Sequence, residues 1–270
     1  MKKISFFLPI LLLAAGAAEA ATVMPHRAIY DLSLLRANEG ASLQSATGRL
    51  AFEIDGSSCE GYTVNFRMAT KYRPNEGEMT LIDTMTTTYE GPGALEFRHQ
   101  MRELINGEQR QEFRIKLNRD QASAEGQGSI STKPDENFTV PANVSLPMQH
   151  QMKLMALGEQ GGGRDSSIIF DGSDEGKVFR AISFVGKAKL PGAIARDGGN
   201  PAAAPLKALG SWPMTTSYYN VEGTAETPEY QVSFDMYENG VATGLVLDYG
   251  EFALTGTLSD LKMLNPSECP

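Results

Sequence analysis

The stretch Tyr230-Gln231-Val232-Ser233-Phe234-Asp235-Met236-Tyr237-Glu238-Asn239-Gly240-Val241-Ala242-Thr243-Gly244-Leu245-Val246-Leu247-Asp248-Tyr249-Gly250-Glu251-Phe252-Ala253-Leu254-Thr255-Gly256 carries the plainest fold signal in the chain. Tyr230, Val232, Phe234 and Met236 alternate with Gln231, Ser233, Asp235 and Tyr237, the period of two that marks a half-buried strand. Asn239-Gly240 suits a two-residue type I′ turn, whose central residues both need positive φ. That turn sets Met236 against Thr243, Phe234 against Leu245, Val232 against Leu247 and Tyr230 against Tyr249. Gly250-Glu251 fits a type II′ turn, which wants Gly first, and sets Tyr249 against Phe252, Leu247 against Leu254 and Leu245 against Gly256. Register and turn chemistry agree on a three-strand antiparallel meander.

The same alternation recurs upstream. Ala28, Tyr30, Leu32 and Leu34 share one face of a first strand. Leu50, Phe52 and Ile54 share one face of a second, and Tyr62, Val64, Phe66 and Met68 one face of a third. Between these two lies the turn Gly56-Ser57-Ser58-Cys59-Glu60-Gly61. Thr80 to Glu90 is threonine-rich and strand-like. Next, Leu95, Phe97, His99 and Met101 oppose charged neighbours, and Phe113, Ile115 and Leu117 do the same. Asn106-Gly107 between them suggests a two-residue hairpin, yet that register sets Met101 against Glu112. A three-residue loop, with Ile105 opposite Gln109, pairs Phe97 with Leu117, His99 with Ile115 and Met101 with Phe113. A longer loop or a bulge is therefore expected, because a one-residue slip inverts every side chain.

Ser145 to Leu157 breaks the pattern: Ser145 can cap, Pro147 suits an early helical position, and Met148, Met152, Leu154 and Met155 recur at helical spacing before Gly158. This predicts one short helix whose Met-rich face covers one end of the sheet core. Ser166 to Phe170 and Lys177 to Gly186 read as strands, the latter apolar on both faces as a centrally covered strand is. Leu190 to Pro213 is rich in Pro, Gly and Ala without periodicity, a functional flap or a mobile excursion, and Trp212 at its end is expected to anchor it.

The first residues read as a secretory signal: Lys2 and Lys3, an apolar run from Ile4 to Ala14, and Ala18-Glu19-Ala20 as the cleavage site. Residues 1–20 are thus a signal peptide and 21–270 a single domain, with no segment long enough to span a bilayer as a helix. Without Lys2, Lys3 and Glu19 the chain carries 22 basic and 32 acidic residues, a net charge near −10. That excludes nonspecific nucleic-acid binding and electrostatic adhesion to anionic lipid. The only cysteines are Cys59 and the penultimate Cys269. An even pair in an exported chain favours a disulfide; two free thiols or a metal site are the alternatives. With His26, His99 and His150 widely spaced, no metal-ligand cluster is apparent, and no cofactor is expected.

No GxSxG, HExxH, phosphate-binding loop or dinucleotide-binding glycine pattern is present. His99 on an apolar strand face reads as a hydrogen-bonded core histidine. The pairs Asp171/Asp174 and Glu251/Asp260 lie in or beside turns, and a glycosidase needs its two carboxylates within roughly 5–10 Å across a cleft. No catalytic residue is assigned.

The opening Pro25-His26-Arg27-Ala28-Ile29-Tyr30-Asp31-Leu32, Cys59 in its Gly-Ser-Ser-Cys-Glu-Gly-Tyr turn and the terminal Cys269 resemble the EipB family of cell-envelope integrity proteins, from about Val23 to Cys269. The resemblance implies a periplasmic monomer, a β-spiral of about 12–14 antiparallel strands, a Cys59–Cys269 disulfide and a part in envelope integrity and stress resistance. It brings no catalytic residues with it. Three functions follow as expectations. The first is a non-enzymatic protein whose curved sheet binds an envelope lipid, glycan or protein partner, with a groove lined by Tyr30, Phe66, Phe97 and Phe234. The second is a scaffold for other envelope factors, and the third a hydrolase acting on an envelope polymer. A continuous apolar cavity favours the first, a packed interior with a bare edge strand the second, and convergent carboxylates or an activated Ser near His99 the third.

Overall fold

The computed structural model describes residues 23–131, 136–193, 200–221, 226–267 and 269. The signal-like segment 1–20 lies outside them, as does the middle of the 190–213 excursion. Fourteen strands form one curved, unclosed antiparallel sheet. They are β1 (His26–Ala37), β2 (Leu43–Ser57), β3 (Gly61–Pro74), β4 (Thr80–Glu90), β5 (Glu96–Ile105), β6 (Glu108–Asn118), β7 (Gly126–Ile130), β8 (Glu136–Val140), β9 (Gly163–Ile169), β10 (Phe179–Val185), β11 (Ser211–Asn220), β12 (Tyr230–Tyr237), β13 (Ala242–Asp248) and β14 (Phe252–Met263). The expected all-β class and strand number hold. The spatial order runs β8 back to β1, then β14 back to β9. The sheet is thus two meanders joined where the first strand pairs with the last, from His26 with Met263 to Ala37 with Phe252.

Register places the apolar residues of successive strands in rows. Ala28, Phe52, Phe66, Thr86, Met101 and Phe113 stand side by side, and next to them His26, Ile54, Val64, Thr88, His99 and Ile115. These rows line the inner face because alternate residues of a strand point the same way. The helix α1 (Pro147–Glu159) connects the two free edges, β8 and β9, and packs Met148, Leu154 and Met155 with Ile54, Tyr62, Trp212 and Met236. It closes one end of the body, as its Met-rich face predicts. Ser145, ahead of the helix, bridges to Ile169 of β9.

The β5–β6 connection carries the expected bulge, whereas the β12–β13 turn and strand β10 depart from expectation. The β5–β6 turn is the two-residue one, with Asn106 at φ 53 and Gly107 at φ 85, and Ile105 faces Glu108. A bulge where Glu103 faces Gln111 while Leu104 faces Gln109 then restores the pairing of Phe97 with Leu117 and Met101 with Phe113. The β12–β13 turn is not type I′: only Gly240 has positive φ, and Gly240 N donates to Tyr237 O while Tyr237 N donates to Val241 O. That three-residue loop sets Met236 against Ala242 rather than Thr243, and a bulge at Gly244 (φ 59) recovers Val232 against Leu247. The β13–β14 pairs Leu247–Leu254 and Leu245–Gly256 are as read. Strand β10 is not covered on both faces: Phe184 is 54% exposed, with the Arg164 guanidinium 5.9 Å above its ring.

The described part of the long excursion is docked. A 3₁₀ turn, Pro201–Leu206, buries Leu206 with Tyr237 and Val241, and Lys189 pairs with the fully buried Asp235 at 2.8 Å. Trp212 is buried, but it packs against Gly158 of α1, so it anchors the helix more than the loop.

Candidate functional site

The inner face leaves a cavity of about 170 Å³ near the α1 end. β1 and β2 contribute Tyr30, Leu50 and Phe52, and β12 and β13 contribute Val232, Phe234 and Leu245, while Gln151 reaches in from the helix. The lining is apolar because it is built from the inward halves of alternating strands. Its polar groups are few and partly engaged: the Tyr30 hydroxyl donates to Ala242 O at 2.7 Å, and His26 Nδ1 lies 2.7 Å from Met24 O. Burial holds the His26 imidazole below its ordinary range, against the opposing hydrogen bond. The cavity therefore offers shape and apolar contact and little else.

A second recess, about 280 Å³, lies between the Cys59 turn and the helix N-terminus, lined by Ser58, Tyr62, Glu90, Pro92, Met148 and Met152 among others. Ser145 does not cap the helix. Glu90 of β4 does, its carboxylate accepting from Met148 N at 2.8 Å and Gln149 N at 3.0 Å. Burial pushes the Glu90 carboxyl up to about 7, although the two helix amides and the nearby Arg119 favour the charged form. Arg119 is held by Ala94 O and Val144 O at 2.7 and 2.8 Å. Cys59 and Cys269 form a disulfide with their Cα atoms 5.8 Å apart. Gly56 and Gly61 bracket the Cys59 turn at φ 104 and 86, and a Cβ at Gly61 would run into Glu90 O.

With this geometry in view, a family profile described as EipB-like matches residues 17–265. The chain belongs to the EipB-like family. It is 32% identical over 257 residues to the cell envelope integrity protein EipB of Brucella abortus (strain 2308), covering 92% of this chain and 87% of that one. A solved β-barrel-like protein of a domain of unknown function from Brucella abortus superposes with a TM-score of 0.83 at 28% identity, over 91% of this chain and all of the other.

Of the four residues expected to line a groove in this EipB-like sheet, Tyr30 and Phe234 meet in the cavity, with Phe52 beside them. Phe66 packs against the same cluster without lining the cavity, and Phe97 is fully buried in a separate cluster with Phe170. His99 is a core histidine, as expected: Nδ1 lies 2.9 Å from Thr88 Oγ1, and burial takes the imidazole down to about 4. Glu251 lies just before β14 and Asp260 nine residues further along the chain within it, roughly 30 Å away at about 3.4 Å per residue, too far for a carboxylate pair. Asp174 is spent on Lys177 at 2.9 Å.

One cluster in this EipB-like chain escaped the sequence reading. Asp165 of β9 lies 2.5 Å from Lys153 Nζ and 3.3 Å from His150 Nε2, and Ser167 Oγ donates to it at 2.7 Å while accepting from Lys153 at 3.0 Å. Burial would raise the Asp165 carboxyl, but Lys153, Ser167 and His150 together hold it below its usual value. The Ser167 hydroxyl is occupied on both sides, so the network fastens α1 to β9 rather than baring a nucleophile. Nothing in the sequence marks it, since His150 and Lys153 are ordinary polar residues on an amphipathic helix. Among the described residues no group of three His, Cys, Asp or Glu is placed to hold a metal, and no helix is long and apolar enough to cross a membrane.

Proposed function

We propose that this chain is a non-enzymatic, monomeric periplasmic protein supporting cell-envelope integrity, and that its curved sheet does so by binding an envelope lipid. One observation carries the reading: the inner face holds an apolar cavity of about 170 Å³ lined by Tyr30, Leu50, Phe52, Phe234 and Leu245. Apolar contact is the recognition an acyl chain needs, at about 0.8 kcal/mol per buried methylene. A glycan needs many convergent hydrogen-bond groups, and here Tyr30 is already committed to Ala242. The signal-like residues 1–20 support export, with 21–270 acting as one domain, and the name of the Brucella abortus relative supports the envelope role. The Cys59–Cys269 bond serves as its permanent staple. The test is native mass spectrometry of protein purified from its own periplasm. A retained mass that fragments as a lipid supports the reading, and clean apo protein contradicts it.

A further inference from the structure

The sheet leaves part of its outer side uncovered at the β9 end. Register sets Arg164 of β9 against Phe184 of β10, and Arg180 of β10 against Tyr219 of β11. Each guanidinium lies over the ring opposite, 5.9 and 5.3 Å from the centroid. Ile182 stands between Arg180 and Phe184 on the same face, and Ile168 faces Arg180 across the strands. Both isoleucines are only partly buried, while both arginines are exposed. Phe184, at 54%, is the most exposed aromatic side chain among the described residues.

The charge on this face has one sign. Asp165, the only carboxylate in the three strands, turns inward to Lys153 and His150. The ion pairs among the described residues give Arg164 and Arg180 no acidic partner, although arginines elsewhere on the sheet have one, as Arg67 has Asp83 at 2.7 Å. A guanidinium forks onto phosphate oxygens, and an exposed ring beside it settles at the headgroup boundary of a bilayer. The area decides between a bilayer and a protein. Three strands about 4.8 Å apart and five residues long give roughly 200 Å², against about 800 Å² per partner in a stable protein interface. A bilayer needs no such area, because each cation and each buried ring contributes by itself.

We propose that the face formed by Arg164, Arg180, Ile182 and Phe184 docks the protein on an anionic phospholipid bilayer. The net charge near −10 keeps the body at large off such a surface, so the contact is local and fixes the orientation of the molecule. This goes beyond the cavity reading above and stands without it.

The test floats the purified mature chain with vesicles of phosphatidylcholine alone and of equal parts phosphatidylcholine and phosphatidylglycerol. Wild type is expected to bind the mixed vesicles, to ignore the neutral ones and to weaken as salt rises. Arg164→Gln with Arg180→Gln is expected to weaken binding about thirtyfold, at about tenfold or less for each cation. Phe184→Ser is expected to weaken it about tenfold. Leu35→Ser, equally exposed at 53% but on β1, is expected to change nothing. Circular dichroism checks that each variant folds. Wild type that leaves the mixed vesicles unbound overturns the proposal, as does binding that survives the double arginine change or falls equally with Leu35→Ser. A concentration-dependent dimer abolished by Phe184→Ser would place a second copy on the face and overturn it too. The cavity reading is tested separately by retained lipid and is untouched by these outcomes.

Discussion

Glu90 shows how one side chain ties chemistry to fold. Its carboxyl is raised from 4.5 to about 7 by burial, so the folded protein holds a proton over that interval which the unfolded chain has released. The stability it contributes is full below about pH 4.5 and is lost as pH rises through about 7, on the order of 3 kcal/mol in all. His99, lowered from 6.5 to about 4, runs the other way: its contribution is present above 6.5 and is lost as pH falls toward 4. The two oppose each other in wild type. Denaturant unfolding of Glu90→Gln is therefore expected to rise in stability with pH between about 4 and 6.5, and to gain on wild type by up to about 3 kcal/mol between pH 4.5 and 8. A pH-independent gap between the two proteins would show that Glu90 titrates normally. None of this is legible in the sequence, where Glu90 is one carboxylate among many and its partners are nearly sixty positions away.

Among the elements, α1 decides whether the sheet has a closed end. Its Gly158 lies under the Trp212 ring, where an added Cβ would come within 2.6 to 2.8 Å of three ring atoms. Gly158→Ala trades about 1 kcal/mol of better helix propensity for that overlap. The overlap is expected to win, with net destabilisation of about 1–3 kcal/mol, read as a lower Tm. Unchanged or raised stability would mean that the helix seats loosely. The helix itself is readable from Pro147 and its methionine spacing, but its cap is not, because Glu90 reaches Met148 only through the tertiary fold. Strand existence was likewise legible from alternation, whereas turn geometry was not. At Asn106-Gly107 the dipeptide named its turn and a bulge at Gln109–Gln111 absorbed the parity conflict; at Asn239-Gly240 the same dipeptide took a three-residue loop. Local chemistry offers both turns, and the register demanded by the inner face selects between them.

At the scale of the molecule, the chain is closed twice. β1 pairs with β14 along nearly its whole length, and the Cys59–Cys269 bond ties the β2–β3 turn to the tail after β14, 210 residues apart in sequence. Closing so long a ring removes on the order of 5 kcal/mol of denatured-state freedom at most. Cys59→Ser, or reduction, is expected to lower Tm and periplasmic abundance while the sheet persists by circular dichroism; identical melting with and without reductant would show that the bond contributes nothing. The free edges β8 and β9 are joined by α1, by the Ser145 bridge and by Phe138 of β8 packing on Phe170 just past β9. The central claim is that an acyl chain occupies the apolar cavity of the inner face. Ala242 lines it, and Ala242→Phe fills it without adding charge. The most direct measurement is native mass spectrometry of wild type and Ala242→Phe, each purified from its own periplasm. A lipid mass retained by wild type and absent from a folded Ala242→Phe is the predicted result, and equal retention by both would contradict it.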